Sequence, residues 1–152
     1  MKLAEALSER ADINKRIAQL SSRLDANAKV QEGERPAEDP AELLSELSAL
    51  LDRLKRIITA INIKNAEAVD DEGVTLTELI AQRDCLRMKI NIIRSFLDEA
   101  SFTVSRGTRS EIIIKSTVDV RSSQADLDKL SKQLRELEVR LQRANWTIDV
   151  EI

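Results

Sequence analysis

The chain has 152 residues, 34% of them charged and 2% aromatic, with three glycines, two prolines and a net charge of −3. That mixture is the composition of long helices and coiled coils, and the charge gives no global reason to seek nucleic acid or an anionic membrane. Histidine is absent, which removes the commonest general base and transition-metal ligand, and the single Cys85 excludes an internal disulfide and fits a reducing compartment.

The opening MKLAEALSERADI has no apolar core, so no secretion signal is expected. No stretch of 18 apolar residues occurs, so no helix is expected to span a membrane, and the expected setting is cytoplasmic.

Residues 2–28 predict a first helix. Leu3, Ala6, Arg10, Ile13, Ile17, Leu20, Leu24 and Asn27 alternate steps of three and four, with Arg10 and Asn27 as the polar exceptions. Gly33 and Pro36 end helical structure, and 29–39 reads as an acidic loop in which Lys29–Glu32 is open to a short strand. A second helix is expected over 40–66: Asp39 can cap, Pro40 takes the first helical position and Glu42 stands where a capping-box carboxylate belongs. It carries three heptad rows: Leu43, Leu50 and Ile57; Leu47, Leu54 and Ile61; Leu44, Leu51 and Ile58. A stripe that wide requires more than one covering neighbour.

A polar turn at 67–75 leads to a third helix at 76–101, whose seam runs Leu76, Leu79, Arg83, Leu86, Ile90, Ile93, Leu97 and Ala100. Thr, Val, Ile and Ser then dominate, and from Glu111 apolar and polar residues alternate, which predicts a β-ribbon over 102–121. A fourth helix at 122–145, started by Ser122 or Ser123 with Asp126, carries the narrow seam Leu127, Leu130, Leu134, Leu137, Leu141 and Ala144. Trp146, Ile148, Val150 and Ile152 alternate with polar residues, predicting a C-terminal strand at 146–152. The expected fold is therefore mainly α with a minor β part: one domain, 1–152, of four long antiparallel helices in a bundle or coiled coil, plus ribbon and strand.

In an up-down-up-down bundle Arg10 and Arg83, each about eight residues into its helix, fall in one layer near Asn62, Asn65 and Asp84. A buried guanidinium requires such partners, so a polar layer is expected there. It is open to three readings: register control between similar seams, a small-anion or ligand site gripped by two arginines, or arginines reaching to solvent.

Other chemistry is thinly represented. A di-iron bundle needs Glu-x-x-His pairs, and there is no His. Asp70-Asp71-Glu72-Gly73 lacks the alternating ligands and distal Glu of a calcium loop and reads as a solvated turn. Cys85, next to the seam residue Leu86, reads as a partly buried structural thiol with no base to activate it. No phosphate loop, catalytic residue, cofactor or metal site is expected. The basic residues of the fourth helix are interleaved with acids, and Arg106, Arg109, Lys115 and Arg121 form the one net basic patch, so nucleic acid is not an expected partner.

The run from Asn27 to Pro40, the pair Asn62 and Asn65, Thr75-Leu76-Thr77 with Arg83-Asp84, Arg109-Ser110-Glu111 and Asn145-Trp146 resemble an uncharacterised bacterial family often labelled septicolysin-like. The resemblance covers the whole chain and implies a helical, oligomeric protein with no assigned catalytic residues; its label implies a cytolysin. Three readings of function follow. The first is a non-enzymatic homo-oligomeric scaffold or interaction protein, a dimer or a hexamer built from dimers, required by the excess apolar rows and open strand edges. The second is a membrane-active cytolysin whose Glu111–Val120 strand has the length of a pore strand. The third is ligand binding at the Arg10/Arg83 layer.

Overall fold

A computed structural model describes residues 1–103 and 113–152. Among them are four helices: α1 (Leu3–Ala26), α2 (Pro40–Glu67), α3 (Leu76–Ser101) and α4 (Val120–Thr147). The chain divides into two compact units, one of Met1–Thr75 with Gln142–Ile152 and one of Leu76–Leu141, so α4 contributes to both.

In the first unit α1 and α2 run antiparallel. Arg16 reaches Glu46 at 3.5 Å, while Glu9, earlier on α1, takes a two-pronged ion pair from Arg53, later on α2, at 2.7 and 2.9 Å. The seam of α1 buries Leu3, Ala6, Ile13 and Leu20, and α2 buries Leu43, Leu50, Ile57 and Ile61. The α2 start is the one its sequence specifies: the Asp39 carboxylate accepts the Ala41 N–H at 2.9 Å and Pro40 fills the first turn, where a missing N–H does no harm.

Asn27 closes the other end of α1. It is buried, its Nδ2 donates to the Arg23 carbonyl at 2.9 Å, and its Oδ1 accepts the Glu38 N–H at 3.0 Å, tying the acidic loop to the helix. No strand forms at Lys29–Glu32; the chain turns there, with the Glu34 N–H on the Gln31 carbonyl and Gly33 at φ +88°, a conformation glycine adopts without strain.

Between α2 and α3 the Asp70 carboxylate accepts the Glu72 and Val74 N–H groups at 3.1 and 3.0 Å, and Gly73 takes φ +80°. The acid is thus engaged by its own backbone in a tight turn closed by the Val69–Thr75 bridge.

In the second unit Ile90, Leu97 and Leu127 form a buried cluster, with Leu86, Ile93, Val118, Leu130 and Leu134 packed on it. Arg87 of α3 pairs with Glu138 of α4, while Leu97, later on α3, shares the cluster with Leu127, earlier on α4, so these helices are also antiparallel.

The minor β part of the expected fold is not present, and the described residues form a helical fold without strands. Of the ribbon at 102–121, residues 104–112, including Arg106 and Arg109, lie outside the described residues; 113–119 form no strand. The reason lies in Asp119, which caps α4 by accepting the Ser122 N–H at 3.1 Å, so Val120 opens the helix two residues ahead of Ser122. Val118, whose alternation suggested a strand face, instead packs on the α3–α4 cluster.

The C-terminal strand fails differently. Helix α4 continues through Trp146 to Thr147, and the extended residues after it meet a very short partner. Leu3 N–H donates to the Ile148 carbonyl at 2.9 Å and Val150 N–H to the Met1 carbonyl at 2.8 Å, which brackets a single Lys2–Asp149 bridge. A ladder cannot lengthen because Leu3 already begins α1.

Candidate functional site

The residues expected to form a polar layer are distributed over both units. In the first, the Glu9–Arg53 and Arg16–Glu46 pairs set the register of the hairpin and bring Arg10 level with the Asp52–Arg56 turn of α2. Asn62 and Asn65 lie further along α2, toward the end that faces the start of α1. Arg10 is half-buried, Asn65 half-buried and Asn62 exposed. In the second unit Arg83 donates to its exposed neighbour Asp84 through Nε at 2.8 Å, an ion pair within one helix turn.

The strongest charged contacts of the first unit are ones the sequence patterns do not single out. The guanidinium of Arg53 beside Glu9 holds that carboxyl below its ordinary range through a hydrogen bond, against the opposing effect of burial. Arg23 grips Glu38 through Nε at 3.0 Å and reaches Glu46 at 3.5 Å, and its hydrogen bond likewise lowers the Glu38 pKa. Lys2 Nζ lies 2.9 Å from Asp149, whose pKa falls through that hydrogen bond, helped by the nearby terminal amine and Lys64. Each pair spans a long stretch of sequence, and no local spacing rule couples Glu9 to Arg53 or Lys2 to Asp149.

Among the described residues no group of three or more Asp, Glu, Cys or His side chains is arranged to hold a metal. An open groove of about 440 Å³ runs along the end of α2 and the C-terminal segment, lined by Ile63, Lys64, Glu67, Asp149 and Glu151 among others. On α3 a shallow hollow of about 350 Å³ is lined by Cys85, Met88, Lys89, Ile92 and Ile93. Cys85, expected to be partly buried, is exposed, because it faces away from the Leu86–Ile90 side that packs on α4.

The most extensive unexplained feature is on α2. Its three heptad rows have three different fates. Leu43, Leu50 and Ile57 are buried; Leu47 and Leu54 are half-buried, with Ile61 at the end of their row buried; Leu44, Leu51 and Ile58 stay 52%, 47% and 39% exposed. The outer row is flanked by the exposed Lys55 and gives way to Asn62 and Asn65 at its far end. Large aliphatic side chains set seven apart on one helix face form a ridge that fits the groove of another helix.

A model of a family of unknown function, DUF6847, matches residues 10–150. The chain belongs to this family. It is also similar to a functionally unknown conserved protein from Corynebacterium diphtheriae, at 36% sequence identity, with a TM-score of 0.91 over 99% of each chain in the crystal structure of that protein. No curated protein matches. Membership of DUF6847 replaces the septicolysin-like resemblance as the description of the family, because neither match carries that label. No helix among the described residues is long and apolar enough to cross a membrane.

Proposed function

We propose that this DUF6847 protein is a non-enzymatic, homo-oligomeric helical interaction protein. The observation that carries this reading is the outer row of α2, where Leu44, Leu51 and Ile58 stand about half exposed beside a fully buried row of the same helix.

Full burial of such a side chain is worth roughly 2 kcal/mol, so each half-exposed member withholds about 1 kcal/mol. A three-residue row then holds about 3 kcal/mol per chain and about 6 kcal/mol for a symmetric pair, which reaches the lower range of the cost of association, about 4 kcal/mol upward. Met88, Ile92 and Phe96 on α3 add a further exposed apolar stripe. The absence of histidine from the sequence supports an interaction role over acid–base catalysis.

Light scattering on the protein at micromolar concentration tests the reading. The expected mass is a multiple of the 17.1 kDa chain. A clean monomer across the concentration range refutes it.

A further inference from the structure

We infer that the extended segment after α4 offers its outer edge, at Asp149 and Glu151, to an extended segment of another protein in which basic and apolar residues alternate. The site lies wholly within the first unit and does not depend on self-association.

The Lys2–Asp149 bridge is bracketed by the Leu3 N–H on the Ile148 carbonyl and the Val150 N–H on the Met1 carbonyl. In that antiparallel pattern the two bridged residues turn their own N–H and C=O groups away from each other. On the Lys2 side α1 takes them up: the Lys2 N–H donates to Glu5 Oε2 at 2.6 Å, and the Lys2 carbonyl accepts the Ala6 N–H at 3.1 Å. On the Asp149 side they point the other way, as do those of Glu151 two residues on. Val150 is buried with its side chain inward, the Asp149 and Glu151 side chains are exposed, and Met1–Leu3 occupy one edge. The groove of about 440 Å³ walled by Ala60, Ile63, Lys64 and Glu67 of α2 therefore runs along the remaining edge. A strand edge open to a groove is a template for an added strand, because its main-chain donors and acceptors pair with those of the guest.

Charge selects the guest. The groove carries three carboxylates, Glu67, Asp149 and Glu151, against one ammonium, Lys64. Asp149 already holds Lys2 Nζ at 2.9 Å, so Glu67 and Glu151, both exposed, supply most of the attraction. Side chains of an added strand alternate between two faces. Those on the Asp149 and Glu151 face meet acids and are basic; those on the other face descend on Ala60 and the 52% exposed Ile63 and are aliphatic. A second copy does not fit through the same edge, since its Asp149 and Glu151 would stand against their own counterparts.

A dye-labelled peptide of alternating lysine and valine, titrated with the full chain and read by fluorescence anisotropy, tests the inference. It is expected to reach half-saturation below about 1 mM protein, while an alternating glutamate and valine peptide does not. The Glu67→Lys/Glu151→Lys variant changes only exposed positions; it is expected to weaken the lysine peptide at least about tenfold and to bind the glutamate peptide instead. Backbone N-methylation separates strand addition from charge attraction. In an antiparallel guest, the more stable pairing per residue, the lysine N–H groups point at the Asp149 edge and the valine N–H groups point away. Methylating the lysine N–H groups is expected to abolish binding, and methylating the valine N–H groups to leave it within about threefold. Equal effects of the two methylations, or no binding of the parent peptide, overturn the inference. The mass of the protein alone by light scattering bears only on self-association, so either reading can fail while the other stands.

Discussion

Two adjacent isoleucines give the sharpest test of how α2 is used. Ile57 is fully buried and Ile58 is 39% exposed, though they differ by one position and share helix propensity. Replacing isoleucine by alanine removes three carbons, worth about 2.4 kcal/mol at roughly 0.8 kcal/mol per buried methylene. At Ile57 the α1–α2 core closes round a cavity, so the expected loss of stability for Ile57→Ala is about 3–4 kcal/mol. At Ile58 only part of the side chain leaves water and no rigid cavity forms, so Ile58→Ala is expected to lose about 1 kcal/mol in the isolated chain. Urea unfolding at submicromolar protein measures both, with the slope checked for constancy so that the midpoint shift reports stability. Equal losses at the two positions refute the division of α2 into a buried and an outer row. Repeating the Ile58→Ala measurement at high protein concentration adds a second reading: its loss is expected to grow as self-association is linked to folding, while that of Ile57→Ala stays large throughout.

Three further expectations come from the ends of the helices and the ion pairs. Asn27→Ala leaves the Glu38 N–H without its acceptor and the Arg23 carbonyl with the backbone N–H of residue 27 alone, and is expected to destabilise by about 1–2 kcal/mol in urea unfolding. Asp119→Ala removes the cap of α4 and is expected to lose about 1 kcal/mol, whereas Ser123→Ala loses little; the reverse order places the helix start at the serines. Glu9, Glu38 and Asp149 all have pKa values lowered by hydrogen bonds from Arg53, Arg23 and Lys2, so their stabilisation is present above the ordinary carboxylate values of 4.5 and 3.8 and is lost as pH falls through the lowered folded values. The thermal midpoint is therefore expected to be flat near neutrality and to fall on acidification below about pH 4.5, with the fall reduced in Arg53→Met.

What could be seen in the sequence was local. Asp39 and Pro40 marked the start of α2 within a residue, because capping and proline geometry are decided by neighbours in the chain. The start of α4 was displaced to Ser122 because Val118 and Val120 alternate with charges, and alternation alone does not distinguish a strand from an apolar lead-in to a capped helix. The C-terminal alternation had its physical basis in Val150, which is buried while Asp149 and Glu151 are exposed, but a strand also needs a partner of comparable length and Met1–Lys2 does not supply one. The width of the α2 stripe was plain from its heptads; which row would face inward was not, since that depends on the turn between α1 and α2 and on the Glu9–Arg53 register. Arg10 and Arg83 stood out as seam breaks, yet the pairing of Arg83 with its own neighbour Asp84 is a choice of rotamer that spacing does not reveal.

The pairing of Met1 and Leu3 with Ile148 and Val150 has a consequence for the order of events during synthesis. The α1–α2 hairpin is complete as soon as residue 67 leaves the ribosome, and its ion pairs are all available by then. The hydrogen bonds that seal the beginning of α1, by contrast, wait for residues 148–150, so the first unit carries an unsealed end until those residues emerge. Closing it brings together positions 145 residues apart, the slowest kind of contact for a growing chain to find. A ribosome stalled before residue 142 would present the hairpin without its seal, and a protease would find the α1 start first.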